Sequence, residues 1–112
     1  MPTITPTDMG VREKQAVAVE ALAVLLRHGE LPTLMWEVPM FTPGYLDGFA
    51  PTRDDQHQVD AVIAWANFLG VDVTEADHDH DGFTWKTYTA ITDYMGARVK
   101  VWAVVDRKKK AA

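Results

Sequence analysis

From residue 83 onward the sequence alternates apolar and polar residues twice in succession, and this constrains the fold more than any other feature. Arg98 to Val105 is the clearest case: Val99, Val101, Ala103 and Val105 alternate with Arg98, Lys100, Trp102 and Val104. Phe83 to Ile91 repeats the pattern, with Phe83, Trp85, Thr87, Thr89 and Ile91 on one side. A period of two is that of a β-strand, whose side chains point to opposite faces in turn. A third, shorter strand is expected over Val71 to Ala76. The links Asp77–Gly82 and Thr92–Gly96 are short and end in glycine, so the three strands should form an antiparallel meander. One face of this sheet is expected to meet helices. The other should carry Lys86, Tyr88, Lys100, Trp102 and Val104, a partly apolar surface that suggests a partner or a second subunit.

The first half of the chain supplies the helices. A first helix is expected from about Pro6, capped by Thr5, with its strong part running from Arg12 to His28 and Gly29 as its stop. Between Ala16 and Leu26 the only polar residue is Glu20. One buried stripe does not need so much apolar surface, so a central or oligomer-facing helix is expected. Thr33 to Val38 reads as a short strand ended by Pro39. A second helix is expected from about Asp54 to Leu69, capped by Thr52 or Asp54. Val59, Val62, Ile63, Ala66 and Leu69 fall on one face of it, widened by Trp65 and Phe68. The expected fold class is α+β: a single domain over residues 1–106, in the order α-β-α-β-β-β. A mainly antiparallel sheet should carry two helices packed on one face.

Composition removes several chemistries. The chain of 112 residues has no cysteine, which excludes disulfides, zinc–thiolate sites and thiol nucleophiles. It has no serine, no glycine-rich phosphate loop, no dinucleotide fingerprint and no H-E-x-x-H helix. The expectation is therefore a protein that is not an enzyme. No apolar run approaches a transmembrane length and no secretory signal layout opens the chain, so no membrane association and a cytoplasmic location are expected. Net charge is −5, yet Arg107, Lys108, Lys109 and Lys110 hold 4 of the 11 basic residues. Without them, 7 basic residues face 16 acidic ones, an acidic body that disfavours nucleic acid as a partner. Residues 107–112 read as a disordered basic tail.

Two segments stand out as candidate sites. Pro39 to Arg53 has no regular pattern and holds three prolines, two glycines and the aromatics Phe41, Tyr45 and Phe49. Aromatics on a stiffened loop make interface anchors, and with Tyr88 and Trp102 they form the expected partner-binding set. The second segment is Asp77-His78-Asp79-His80-Asp81-Gly82. It opens like a calcium loop, but Tyr88 stands where that loop needs its twelfth-position glutamate. His78 and His80 share a side if extended, and with Asp77, Asp79 and Asp81 they offer ligands for a divalent metal. A solvated hairpin turn explains the same composition.

Three stretches give the chain a resemblance. These are Leu31-Pro32 after an alanine- and valine-rich helix, Val59-Asp60-Ala61-Val62-Ile63-Ala64-Trp65 running into Leu69-Gly70-Val71-Asp72-Val73-Thr74, and the closing Gly96 to Val105 strand. In these it resembles small uncharacterised proteins of actinobacteria and their phages. The resemblance implies no activity and no catalytic residue. It implies an accessory protein that binds a host protein. The expected function is thus a non-enzymatic binding protein, self-associating as a dimer. The alternatives are a metal-responsive module on Asp77–Asp81 and an acidic mimic of nucleic acid.

Overall fold

The computed structural model describes residues 6–39, 41–51 and 54–110. Its elements are α1 (Pro6–Leu25), β1 (Met35–Glu37), β2 (Tyr45–Phe49), α2 (Asp55–Leu69), β3 (Thr74–His80), β4 (Phe83–Tyr94) and β5 (Ala97–Lys109). The strands form one sheet in the order β1-β2-β5-β4-β3. Only β2 and β5 run parallel; the other three pairings are antiparallel. The α+β class follows the sequence pattern, and the element order gains one strand, α-β-β-α-β-β-β. Thr5 and Thr52, the possible caps, lie outside the described residues.

The extra strand corrects the reading of residues 39–53 as an irregular loop. Tyr-Leu-Asp-Gly-Phe of β2 alternates exposed and buried positions, with Leu46 and Gly48 inward. Its central glycine has a steric cause. Gly48 lies directly across from Trp36 of β1, and a Cβ there would stand 2.8 Å from Trp36 Cζ3 and 3.0 Å from Leu34 Cδ1. A bare backbone is what lets the indole cross the strand.

Both helices lie on the same face of the sheet. Ala18, Ala21 and Leu25 of α1 and Ala61, Val62, Trp65 and Ala66 of α2 join Leu46, Ala90, Val99, Val101 and Ala103 in one buried cluster. The all-round apolar character of α1 does not make it central. It buries one stripe and leaves Val11 and Val19 exposed, as is Leu26 just past its end. It also ends at Leu25, three residues before the expected His28. Helix α2 matches its expected span. Asp54 caps it by accepting from the His57 backbone N–H at 2.9 Å, and Gly70 closes it. The Trp65 indole N–H donates to the Pro32 carbonyl at 2.7 Å, tying α2 to the segment before β1. Among the described residues no helix is long and apolar enough to cross a membrane.

The meander is tighter and longer than its pattern suggests. Each hairpin turns on two residues, Asp81-Gly82 and Met95-Gly96, all four with positive φ. This is the geometry whose twist matches that of the flanking strands. Strand β3 begins at Thr74, not Val71, and continues through the Asp-His string. Strand β5 does not stop at residue 106. It runs on through Arg107, Lys108 and Lys109 after a register shift near Asp106, so the stretch expected to be a disordered tail is ladder up to Lys109.

Candidate functional site

Register decides which side chains share a face. Tyr94 pairs with Ala97, so from Lys86 to Tyr94 odd-numbered residues of β4 stand beside even-numbered residues of β5; past the register shift Phe83 stands beside Lys109. Ala90 pairs with Val101 and Tyr88 with Ala103, all toward the helices. Thr89 pairs with Trp102, Thr87 with Val104 and Ile91 with Lys100, all away from them. The expected outer face is therefore half right. Lys100, Trp102 and Val104 are on it. Lys86 and Tyr88 are not, and Tyr88 packs partly buried against the core. Phe83, Trp85, Thr87, Thr89 and Ile91 take their place.

Strand β2 extends this open face, since Tyr45, Asp47 and Phe49 pair with Arg98, Lys100 and Trp102. Strand β1 adds Met35 and Glu37, across from Phe49 and Asp47. Of the five expected partner-binding residues, the fold brings together Tyr45, Phe49 and Trp102. Phe41 stands apart from any strand, 91% exposed, in the connection between β1 and β2. Met35, Phe83, Trp85 and Ile91 were not in the expected set. The tightness of the Met95-Gly96 turn is the signal that places the last three.

The centre of the open face is apolar. The Phe49 and Trp102 rings meet at 4.6 Å between centroids, and Lys100 Nζ lies 4.9 Å from the Trp102 ring centre. The Trp102 indole N–H is buried with no hydrogen-bond partner. Met35, Tyr45, Phe83 and Ile91 are each more than a third exposed. Lys100, beside Asp47, borders this centre, and the other charges sit toward the ends. Arg98 Nε is 3.4 Å from Asp93 Oδ1 at one end. At the other, a groove of about 530 Å³ is lined by His80, Asp81, Phe83, Trp85, Arg107 and Lys109, among others. Beside it His78 stacks on Trp85, 5.4 Å between centroids and 11° from parallel, and its Nε2 is 2.9 Å from Thr87 Oγ1.

The Asp-His string does not assemble a metal centre. As a strand it sends Asp77 and Asp79 to the helix side and His78 and His80 to the open side, while Asp81 is in the turn. Among the described residues no three His, Asp or Glu side chains gather to hold a metal ion. The carboxylates have cations instead. Lys86 Nζ is 2.8 Å from Glu75 and 3.9 Å from Asp77, and Lys110 pairs with Asp79 at 2.5 Å. The hydrogen bond that Lys86 donates to Glu75 raises the Lys86 pKa above its ordinary value, with the charges of Glu75 and Asp77 adding to it. The two charged strings of the sequence thus meet: the Lys110 backbone N–H also donates to the Gly82 carbonyl, at 2.6 Å. As the sheet's exposed edge strand, β3 gains from its charges, which discourage pairing with a foreign strand.

No protein-family model, no curated protein and no solved structure matches this chain.

Proposed function

We propose that this chain is a non-enzymatic binding protein that docks a protein partner on the open face of its sheet. One observation carries the reading. Both helices cover one side of a five-stranded sheet, and the other side presents Met35, Tyr45, Phe83 and Ile91 to solvent around the half-buried Phe49, Trp85 and Trp102. An exposed apolar patch rimmed by polar residues is the usual mark of a protein interface, and aromatic anchors supply most of the binding energy at such sites. The absence of cysteine fits work in a reducing cytoplasm. Single-stranded nucleic acid also favours aromatic sheet faces. Here it meets Glu37, Asp47 and Asp93 on the same face, and Arg98 is already paired with Asp93. A protein is the better fit.

The test is affinity capture with the wild-type chain, an Ile91→Glu, Phe83→Glu variant and a Leu26→Glu control. Each new glutamate on the open face lies across from a lysine, Lys100 or Lys109, so neither places like charges together. A protein, including further copies of this chain, held by wild type and control and lost with the open-face variant is the expected result. Capture that ignores the open-face charges would refute the reading.

A further inference from the structure

We infer that the occupant of the open face is a second copy of this chain, packed sheet on sheet about a two-fold axis with the β5 strands running in opposite senses. This rests on the reading of that face as a docking surface and names its partner. The first argument is area. The chain exposes 7737 Å², whereas a compact monomer of 12.5 kDa exposes about 6,200 Å². The excess, roughly 1,500 Å² over the whole chain, leaves room for the ~800 Å² each partner gives to a standard interface. The radius of gyration agrees: it is 16.6 Å, against about 13 Å for a compact chain of this length. The uncovered sheet contributes to this surface, with Met35, Tyr45, Phe83 and Ile91 each more than a third exposed on it.

The second argument is charge. A chain of net charge −5 repels its own copies unless they meet on a surface that does not share that charge. The open face is such a surface. It carries Arg98, Lys100, Arg107 and Lys109 against Glu37, Asp47, Asp81 and Asp93, and is nearly neutral. Glu37, Asp47 and Asp93 lie toward the Arg98 end of β5, while Arg107 and Lys109 lie at the other end with Asp81 beside them. Midway between the ends are Trp102 and Val104, flanked by Thr87, Thr89 and Phe49, with no charge among them. Opposed β5 strands bring the acidic end of each copy toward the basic end of the other and bury the uncharged middle. Two-fold pairing needs a self-complementary patch of this kind. Stacked sheets cross at about 30° and about 10 Å, which puts the two helix layers on the outside.

Sedimentation equilibrium on the full chain at micromolar concentration should give twice the mass of 12.5 kDa. Ile91→Glu with Phe83→Glu should give the monomer mass with the circular dichroism spectrum unchanged. Leu26→Glu should remain a dimer. Because the chain lacks cysteine, Thr89→Cys supplies a single thiol near the proposed axis. A short bis-maleimide should join two copies through it, and should fail to do so through Val11→Cys on α1. A wild-type chain that stays monomeric overturns the inference. So does a dimer that survives the open-face charges, or one cross-linked through Val11→Cys and not Thr89→Cys. A monomer that still captures a different protein through its open face would overturn this inference alone and leave the docking surface standing.

Discussion

Replacing Gly48 by alanine tests the packing that makes β2 a strand. The backbone at Gly48 has no positive φ, so alanine fits its conformation and only space is at issue. The new methyl carbon would lie 2.8 Å from Trp36 Cζ3, 3.0 Å from Leu34 Cδ1 and 3.0 Å from Trp36 Cη2. Neither neighbour is a loose chain end. Leu34 is 6% exposed, and the Trp36 ring packs edge-on to Trp65 at 5.3 Å. Overpacking of this kind costs about 1–3 kcal/mol. Alanine also restricts the unfolded chain, which returns about 0.4–1 kcal/mol to the folded state. The net expectation is a loss of about 1–2 kcal/mol, or a fall in Tm of roughly 4–10 °C for a chain this size. Thermal melts followed by circular dichroism measure it. Trp36→Phe, which removes the colliding part of the ring, should relieve most of the loss in the double variant. A Gly48→Ala protein as stable as wild type would refute the steric account of this glycine.

Three further outcomes are expected. Leu46→Ala, at a fully buried site in β2, should cost about 2–5 kcal/mol and lower the urea midpoint without changing its slope. Trp65→Phe should destabilise the fold by roughly 1–3 kcal/mol more than Trp102→Phe. The first strands the Pro32 carbonyl, whereas the second removes a donor that already lacks a partner; parallel urea titrations compare them. The bond from the His57 backbone N–H, with that from its ring, holds the Asp54 carboxyl below its ordinary pKa of 3.8. A lowered folded-state pKa stabilises at pH above the unfolded value, and that stability is lost as pH falls through the folded value. Asp54→Ala should therefore melt lower than wild type near neutral pH, with the gap closing below the ordinary carboxylate range.

Much of the fold is written in the sequence as local pattern. The alternation of β4 and β5 and the 3.6-residue spacing of α2 each place their own elements, because each reports a face buried by neighbours close in sequence. Strand β2 was hidden because its partner β5 lies at the far end of the chain and the pairing is parallel. Pro39, Pro43 and Pro51 around it gave a strong loop signal that tertiary pairing overrode. The Asp-His string was hidden for the opposite reason. Its residues have poor strand propensity, yet an exposed edge strand tolerates them, and Lys86 and Lys110 offset their charge. The face assignment turned on parity alone. A five-residue link after Thr92 leaves it open, whereas the two-residue turn at Met95-Gly96 fixes it. Tyr88, expected on the same face as Trp102, then falls on the opposite one, although the alternation within each strand holds.

The strand order also sets a timetable. Strand β5 is the latest element of the domain to be made, yet it lies between β2 and β4 and is the only link between the two halves of the sheet. Until residues up to about Lys109 have left the ribosome, β1 and β2 form a bare two-stranded ribbon, too small to be stable alone. Helix α1 has no sheet to lie on. The β3–β4 hairpin waits with its long apolar flank open. Cooperative folding therefore starts late, and for most of synthesis the aromatic strands stay open to contact with other chains. A stop or frameshift anywhere in β5 would not trim an edge. It would remove the seam, and the product should be cleared as unfolded polypeptide.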